Sequence, residues 1–144
     1  MDDPADTAAS KFAQGFNCAQ SVFAAFAPAF GLNETTALKI ASPFGGGVAR
    51  QGEICGAVSG ALMVLGLKLG SSHPEGKEET YRLSQEFLRV FKEKHGTLLC
   101  RELLGYNLSD PEAREQARQS GVLKTVCPFV VREAAGIVGQ MLDK

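Results

Sequence analysis

The feature that most constrains the fold of this chain is a glycine-rich segment, PFGGGVARQGEICGAVSG, at residues 43–60. The segment contains six glycines and a single cysteine, Cys55. Glycine adopts backbone conformations that other residues avoid and lets another part of the chain approach closely, but it costs about 1 kcal/mol in a helix interior. The segment therefore predicts a loop followed by a helix over about residues 53–69, whose glycines allow tight helix packing or leave room for a cofactor near Cys55.

Outside this loop the sequence has the spacing of amphipathic helices and no convincing strand. Apolar residues recur every three or four positions, as at Val22, Phe26 and Phe30. The sequence predicts an all-α fold, a single-domain bundle of six to eight helices over residues 1–144. The predicted helices lie within residues 4–14, 17–28, 33–41, 53–69, 70–96, 98–104, 110–120 and 128–144. The long charged helix is predicted to bury a stripe made of Tyr81, Ser84, Phe87, Leu88 and Phe91.

Composition excludes several classes of function. Hydrophobic residues make up 44% and charged residues 22% of the chain, which indicates a globular protein rather than a disordered one. A net charge of -1 gives no attraction for nucleic acid. The most apolar run, ICGAVSGALMVLGLKLG, is too short for a membrane span, so we expect no membrane insertion. The first ten residues lack the pattern of a secretory signal, and we therefore predict a cytoplasmic protein.

The four cysteines are each predicted to lie in the first turn of a helix. In a reducing compartment, such cysteines are more often metal ligands or redox-active thiols than structural bridges. Asn17 and Gln20 form a capping-box pattern that makes Cys18 the first helical residue. Cys55 is predicted to lie two or three residues into its helix, and Cys100 to be the third residue of a helix capped by Thr97. Cys127 is predicted to be the N-cap of the helix that begins at Pro128.

Free N–H groups and the helix dipole stabilise negative charge at a helix start, so a thiol held there ionises more readily. If the four helix starts converge, Cys18, Cys55, Cys100 and Cys127 form one metal-binding or redox site. An iron–sulfur cluster uses such thiolates as ligands. A zinc site is less expected because the cysteines do not come in close pairs. Two alternatives remain open: a thiol–disulfide protein that uses the same residues as two pairs, and a helical accessory or binding module with buried structural cysteines.

The glycine loop itself is a candidate for cofactor binding. We expect it to wrap the thiols and to donate backbone N–H groups to them, which makes the candidate residues Gly45, Gly46, Gly47, Gly52 and Gly56. With Arg50 nearby, the three consecutive glycines could also form an anion nest. The loop matches neither the phosphate-binding P-loop nor the dinucleotide fingerprint, and a simple connector that allows close approach is the alternative.

Four blocks of the sequence, GFNCAQSV, FGGGVARQGEICGAVSGALMVLG, CRELLG and CPFVVREAA, resemble in this order the C-GCAxxG-C-C family of redox-active proteins. The resemblance covers nearly the whole chain and implies that Cys18, Cys55, Cys100 and Cys127 are the signature cysteines. A related domain in split-Soret cytochromes is associated with an iron–sulfur centre. Covalent c-type haem attachment does not carry over, because the chain contains no Cys-x-x-Cys-His sequence.

Together, the helix-start argument and the resemblance predict electron transfer or redox sensing through a four-cysteine iron–sulfur site, most simply a 2Fe–2S cluster. The expected partners are an electron donor or acceptor protein of unknown identity and a second copy of the chain. The homodimer is expected because the small-residue face of residues 56–70 and the apolar C-terminal helix need cover. The residues do not indicate whether the chain is an enzyme.

Overall fold

Capping residues set most of the helix boundaries in the computed structural model, which describes residues 3–143. Asp3, Asn33 and Asp110 each accept a hydrogen bond from a backbone N–H in the first turn of the following helix. Gly96 and Gly105 adopt the left-handed conformation that ends a helix without strain for glycine. The α-helices are α1 Pro4–Ala13, α2 Cys18–Phe26, α3 Glu34–Ala41, α4 Gly56–Leu69, α5 Lys77–His95, α6 Cys100–Leu104, α7 Pro111–Ser120 and α8 Val122–Leu142. Three 3₁₀ turns lie at Ala27–Phe30, Ser42–Phe44 and Pro74–Gly76.

Helix α2 is the centre of the bundle. It packs against α1, α3, α4 and α8, and α4 also contacts α5 and α8. The main core is built from side chains of these helices, among them the fully buried Val22, Val58, Phe87 and Val138. A second, smaller apolar cluster lies beside it and contains Cys100, Leu104, Leu108 and Ala117. The molecule therefore has two apolar clusters, and the cysteines are divided between them.

The glycines of α4 allow it to pack closely on α2. A Cβ added at Gly60 would lie 2.7 Å from the backbone oxygen of Ala19, and one at Gly56 would lie 3.0 Å from the Ala19 nitrogen. The first separation is shorter than Cβ contacts in proteins, and the second would require the backbone to shift slightly, so glycine at both positions favours this close approach. The small-residue face of α4 thus has its cover within the subunit, and the homodimer stays a prediction.

The all-α fold is confirmed. In the described part of the chain there is no strand, and the only β-type pairing is an isolated antiparallel bridge between Ile54 and Leu99. The predicted stripe of α5 is wrong at Tyr81, which is 55% exposed because the amino-terminal part of this helix extends beyond the core that Phe87 and Phe91 enter. None of the helices within residues 3–143 combines the length and the apolar character that a membrane span requires.

Candidate functional site

The four cysteines line one cavity of about 650 Å³. Cys18 and Cys55 belong to the main core, whereas Cys100 and Cys127 belong to the smaller cluster, so the cavity lies where the two clusters meet. The four sulfurs are close to one another: in every pair, a charge on one sulfur raises the pKa of the other. The structure thus brings together residues that are separated by more than a hundred positions in sequence.

A backbone bridge positions Cys55 and Cys100. Ile54 and Leu99 pair in antiparallel fashion, with the Cys55 N–H donating to Leu98 at 2.8 Å and the Cys100 N–H donating to Glu53 at 2.7 Å. Side chains alternate along extended backbone, so the residues after Ile54 and Leu99 turn to the opposite face from the bridge pair. That alternation directs both sulfurs to the cavity. The bridge connects distant segments, and no local sequence signal predicts it.

Cys55 and Cys100 are near helix starts, but not at the predicted positions. Cys55 is the N-cap of α4 rather than a residue of its first turn, and Cys100 is the first residue of α6, with Leu99 as the N-cap in place of Thr97. The N–H groups of Ala57 and Val58 point toward the Cys55 sulfur and favour its anion, although no N-cap hydrogen bond of normal geometry forms.

Cys18 and Cys127 approach the cavity from opposite ends of the chain. Cys18 is the first residue of α2, and the predicted capping box between Asn17 and Gln20 is present. The prediction that Cys127 caps a helix is wrong, because α8 begins at Val122 and continues through Pro128. Proline in a helix interior loses one hydrogen bond and strains the preceding turn. Here α8 continues past Pro128 because it packs along α1, α2 and α4.

The cavity thiols differ in acidity. Burial is the largest cause that raises the pKa of Cys55 to about 11 and that of Cys100 to about 12, so both are protonated at neutral pH without a cation beside them. The side chains of Cys18 and Cys127 affect each other's acidity in opposite directions. The Cys18 thiol donates to the Cys127 sulfur, which lowers the pKa of Cys127 and raises that of Cys18 well above its usual range. Cys127 is therefore the thiol that ionises most readily.

The glycine loop packs its backbone directly onto the cysteines. A Cβ on Gly47 would lie 2.7 Å from the Cβ of Cys100, and a Cβ on Gly56 would lie 3.2 Å from the Cβ of Cys18. Gly45, Gly46, Gly47 and Gly56 line the cavity, whereas Gly52 does not. The Gly52 N–H instead donates to Gly46 within the loop.

Five consecutive residues of the loop, 46–50, have left-handed backbone, including the non-glycine residues Val48, Ala49 and Arg50 at φ 66, 49 and 62°. Such conformations cost about 1–2 kcal/mol each for an L-residue, and nothing in the local sequence predicts three of them. Hydrogen bonds across the loop hold them, among them Ala49 N–H to Pro43 and Arg50 N–H to Gly45.

The N–H groups of Gly45, Gly46 and Gly47 have no acceptor among residues 3–143, and this includes the four thiols. The expected N–H donation from the loop to sulfur is therefore not formed in this structure. The three glycines nevertheless line the same cavity as the cysteines.

Sequence reasoning missed the apolar wall of the cavity. Phe12 and Phe16 line it near α1, and Leu103, Leu104, Leu108, Leu123, Val126 and Val130 line its other side. Leu103, Leu104, Leu123 and Val130 lie three or four residues from Cys100 or Cys127, so the helical period could have indicated them once both cysteines were known to face inward.

The histidines do not contribute to the cavity wall. His95 instead packs at the end of α5 between Phe91 and Phe129, with ring centroids 4.4 and 5.7 Å away. Its Nε2 lies 3.7 Å from Glu133 and has no hydrogen-bond partner. Among the residues the structure describes, no group of three or more histidine, cysteine or carboxylate side chains is arranged to hold a metal ion.

Comparison with known proteins identifies one family. The model of the family described as "Putative redox-active protein (C_GCAxxG_C_C)" matches residues 16–141, a span that includes all four cysteines and the glycine loop. The resemblance inferred from the sequence blocks is confirmed by this match. No curated protein and no solved structure matches the chain significantly.

Proposed function

This chain belongs to the C_GCAxxG_C_C family of redox-active proteins, and we propose that its four cysteines form the redox centre by holding an iron–sulfur cluster, most simply 2Fe–2S. The observation that carries the proposal is that Cys18, Cys55, Cys100 and Cys127 line one cavity. A cluster contains several metal atoms, so its ligands need to surround a volume, whereas a single zinc ion needs four ligands at one point. When bound, the cluster would take up and release one electron.

The donor chemistry supports the same proposal. Cys55 and Cys100 are buried thiols with raised pKa values, and metal ligation replaces their protons by a cation that favours the thiolates. The Gly47 backbone, which has no side chain, leaves room beside Cys100. The N–H groups at the start of α4 favour the thiolate form of Cys55. The apolar residues around the cavity reduce water access, which tunes the reduction potential of such centres.

Anaerobic purification with metal analysis tests the proposal. We expect about two iron and two sulfide per chain, a brown colour, and an electron paramagnetic resonance signal after reduction. Cys18→Ala or Cys127→Ala should abolish stable iron binding, while His73→Ala, which replaces an exposed histidine that does not line the cavity, should leave the iron content unchanged. Iron-free protein after anaerobic reconstitution, or full iron retention in both cysteine variants, would refute the cluster.

A second candidate function is thiol–disulfide exchange, which the lowered pKa of Cys127 and its position beside Cys18 in the cavity favour. The Cys127 thiolate would attack a disulfide substrate and release one thiolate. The Cys18 thiolate would then displace the second, so that the substrate gains two electrons and the pair becomes a disulfide. Peptide mapping after equilibration with glutathione should find Cys18 linked to Cys127 in iron-free protein. A dominant link between Cys55 and Cys100 would contradict this assignment.

The cellular setting remains part of the proposal. A cytoplasmic location would keep the thiols reduced, and an electron donor or acceptor protein would have to exchange electrons with the centre. The homodimer predicted from the sequence is tested by light scattering at high micromolar concentration. A monomer there would exclude it.

A further inference from the structure

We propose that the cavity also binds a small organic anion with an apolar body, at a site formed by Arg50, the glycine loop and the apolar wall. This site shares the cavity with the four thiols but uses other residues of its wall, so the anion test is interpreted together with the iron content. Its ligand class follows from three properties of the wall: its charge, its unpaired donors and its apolar surface.

The charge of the wall favours an anion. Arg50 is the one charged residue among the described residues that line the cavity, and no carboxylate lines it. Arg50 forms no ion pair or side-chain hydrogen bond with any residue from 3 to 143. The nearby Glu53 pairs with Arg101 instead. A guanidinium that is free to make two parallel hydrogen bonds is well suited to a carboxylate or a sulfonate.

The unpaired N–H groups of Gly45, Gly46 and Gly47 add donors on the same wall. Gly47 is buried, and buried backbone N–H groups in folded proteins almost always have an acceptor. The later residues of the loop satisfy their N–H groups internally, as Ala49 and Arg50 do. Successive backbone N–H groups in a turn form a concave surface that binds anions. Three of the unpaired donors of this loop, those of Gly45, Gly46 and Gly47, therefore belong to residues that line the cavity.

The rest of the wall selects an apolar body. Phe12 and Phe16 line the cavity from one side, and Leu103, Leu108, Leu123 and Val126 line it from the other. Its volume of about 650 Å³ lies within the range of sites for small organic ligands, about 300–1,000 Å³. Arg50 is exposed as well as part of the wall, so the anionic end of the ligand would lie at the mouth and the apolar end inside.

Fluorescence titration with anilinonaphthalene sulfonate, an aromatic anion, tests the proposal on anaerobically purified protein. The neutral phenylnaphthylamine, which lacks the sulfonate, is titrated in parallel. Arg50→Gln should weaken sulfonate binding about tenfold or more and change phenylnaphthylamine binding less than about twofold, because only the charged contact is lost. Arg50→Lys should retain part of the affinity. Leu123→Ala should weaken both dyes, because it removes apolar wall that they share.

Arg89→Gln is the matched control, since Arg89 is an exposed arginine of α5 that does not line the cavity. It should leave both affinities unchanged, and circular dichroism should show every variant folded. Equal sulfonate affinity in wild-type, Arg50→Gln and Arg89→Gln protein would overturn the proposal, as would equal loss for both dyes in Arg50→Gln. Iron content is measured on the same samples, so loss of the cluster and loss of the anion site are distinguished.

Discussion

Replacement of Gly47 by alanine tests whether the glycine loop is needed to pack backbone against the cysteines. Gly47 has φ +72°, and an added Cβ would lie 2.6 Å from the Glu53 nitrogen and 2.7 Å from the Cβ of Cys100. The left-handed conformation costs alanine about 1–2 kcal/mol. Overpacking costs a further 1–3 kcal/mol or so, because the Glu53 backbone and Cys100 must both move. We expect a loss of about 2–5 kcal/mol in the free energy of unfolding, measured by urea denaturation of reduced, iron-free protein.

Gly105→Ala is the control that separates strain from steric contact. Gly105 has φ +77°, nearly the same as Gly47, but nothing lies within 4 Å of the position of its Cβ. It should therefore lose only about 1–2 kcal/mol. With a denaturant slope of about 2 kcal/mol per molar, a difference of about 2 kcal/mol between the variants shifts the urea midpoint by about 1 M. Equal midpoints for the two variants would refute the close-packing argument.

Three further predictions concern α4, His95 and α8. Gly60→Ala should lower the free energy of unfolding by about 1–3 kcal/mol, because the added Cβ would be too close to Ala19. Gly66→Ala should raise the free energy of unfolding by about 1 kcal/mol, because open space surrounds that position. Equal urea midpoints for the two variants would contradict both expectations. Burial lowers the pKa of His95 in the folded protein. The free energy of unfolding should therefore decrease as the pH falls from about 6.5, the ordinary histidine pKa, toward the lower pKa of the folded state. Thermal unfolding measured from pH 8 to 5 should show a smaller decrease for His95→Gln. Pro128→Ala should raise the free energy of unfolding by up to about 3 kcal/mol, because it removes a proline from the interior of α8. The midpoint of thermal unfolding should rise accordingly, and a lower midpoint would contradict this expectation.

Much of the fold could be predicted because its signals are local. Asn17, Asn33 and Asp110 cap helices through side chains that bond within three residues, and Gly96 ends α5 by its own backbone preference. Each of these interactions is complete within a few residues of sequence. Capping and periodicity therefore gave the order and number of the helices.

The errors arose where tertiary packing overrides local preference. Pro128 is typical of the first turn of a helix, but the packing of α8 along α1, α2 and α4 holds it in an interior position. Val48 in left-handed backbone has no sequence signal, because β-branched residues avoid that conformation. The bridge between Ile54 and Leu99 joins segments 45 residues apart, and only the assembled fold brings them together. The convergence of the cysteines could be predicted, but their arrangement around a cavity could not.

The division of the cavity wall among distant segments has a consequence for how the protein matures. Phe12 near the amino terminus and Val130 near the carboxyl terminus line the same space. The cavity is therefore complete only after α8 has docked, and a chain synthesised only as far as α7 does not contain it. Whatever occupies the cavity must enter late, and by mass action it stabilises the finished fold, by about 2.7 kcal/mol at a concentration of a hundred times its dissociation constant. Occupancy of the cavity would then decide how long a chain survives in the cell, because a chain without its ligand unfolds more often and is more readily degraded by proteases.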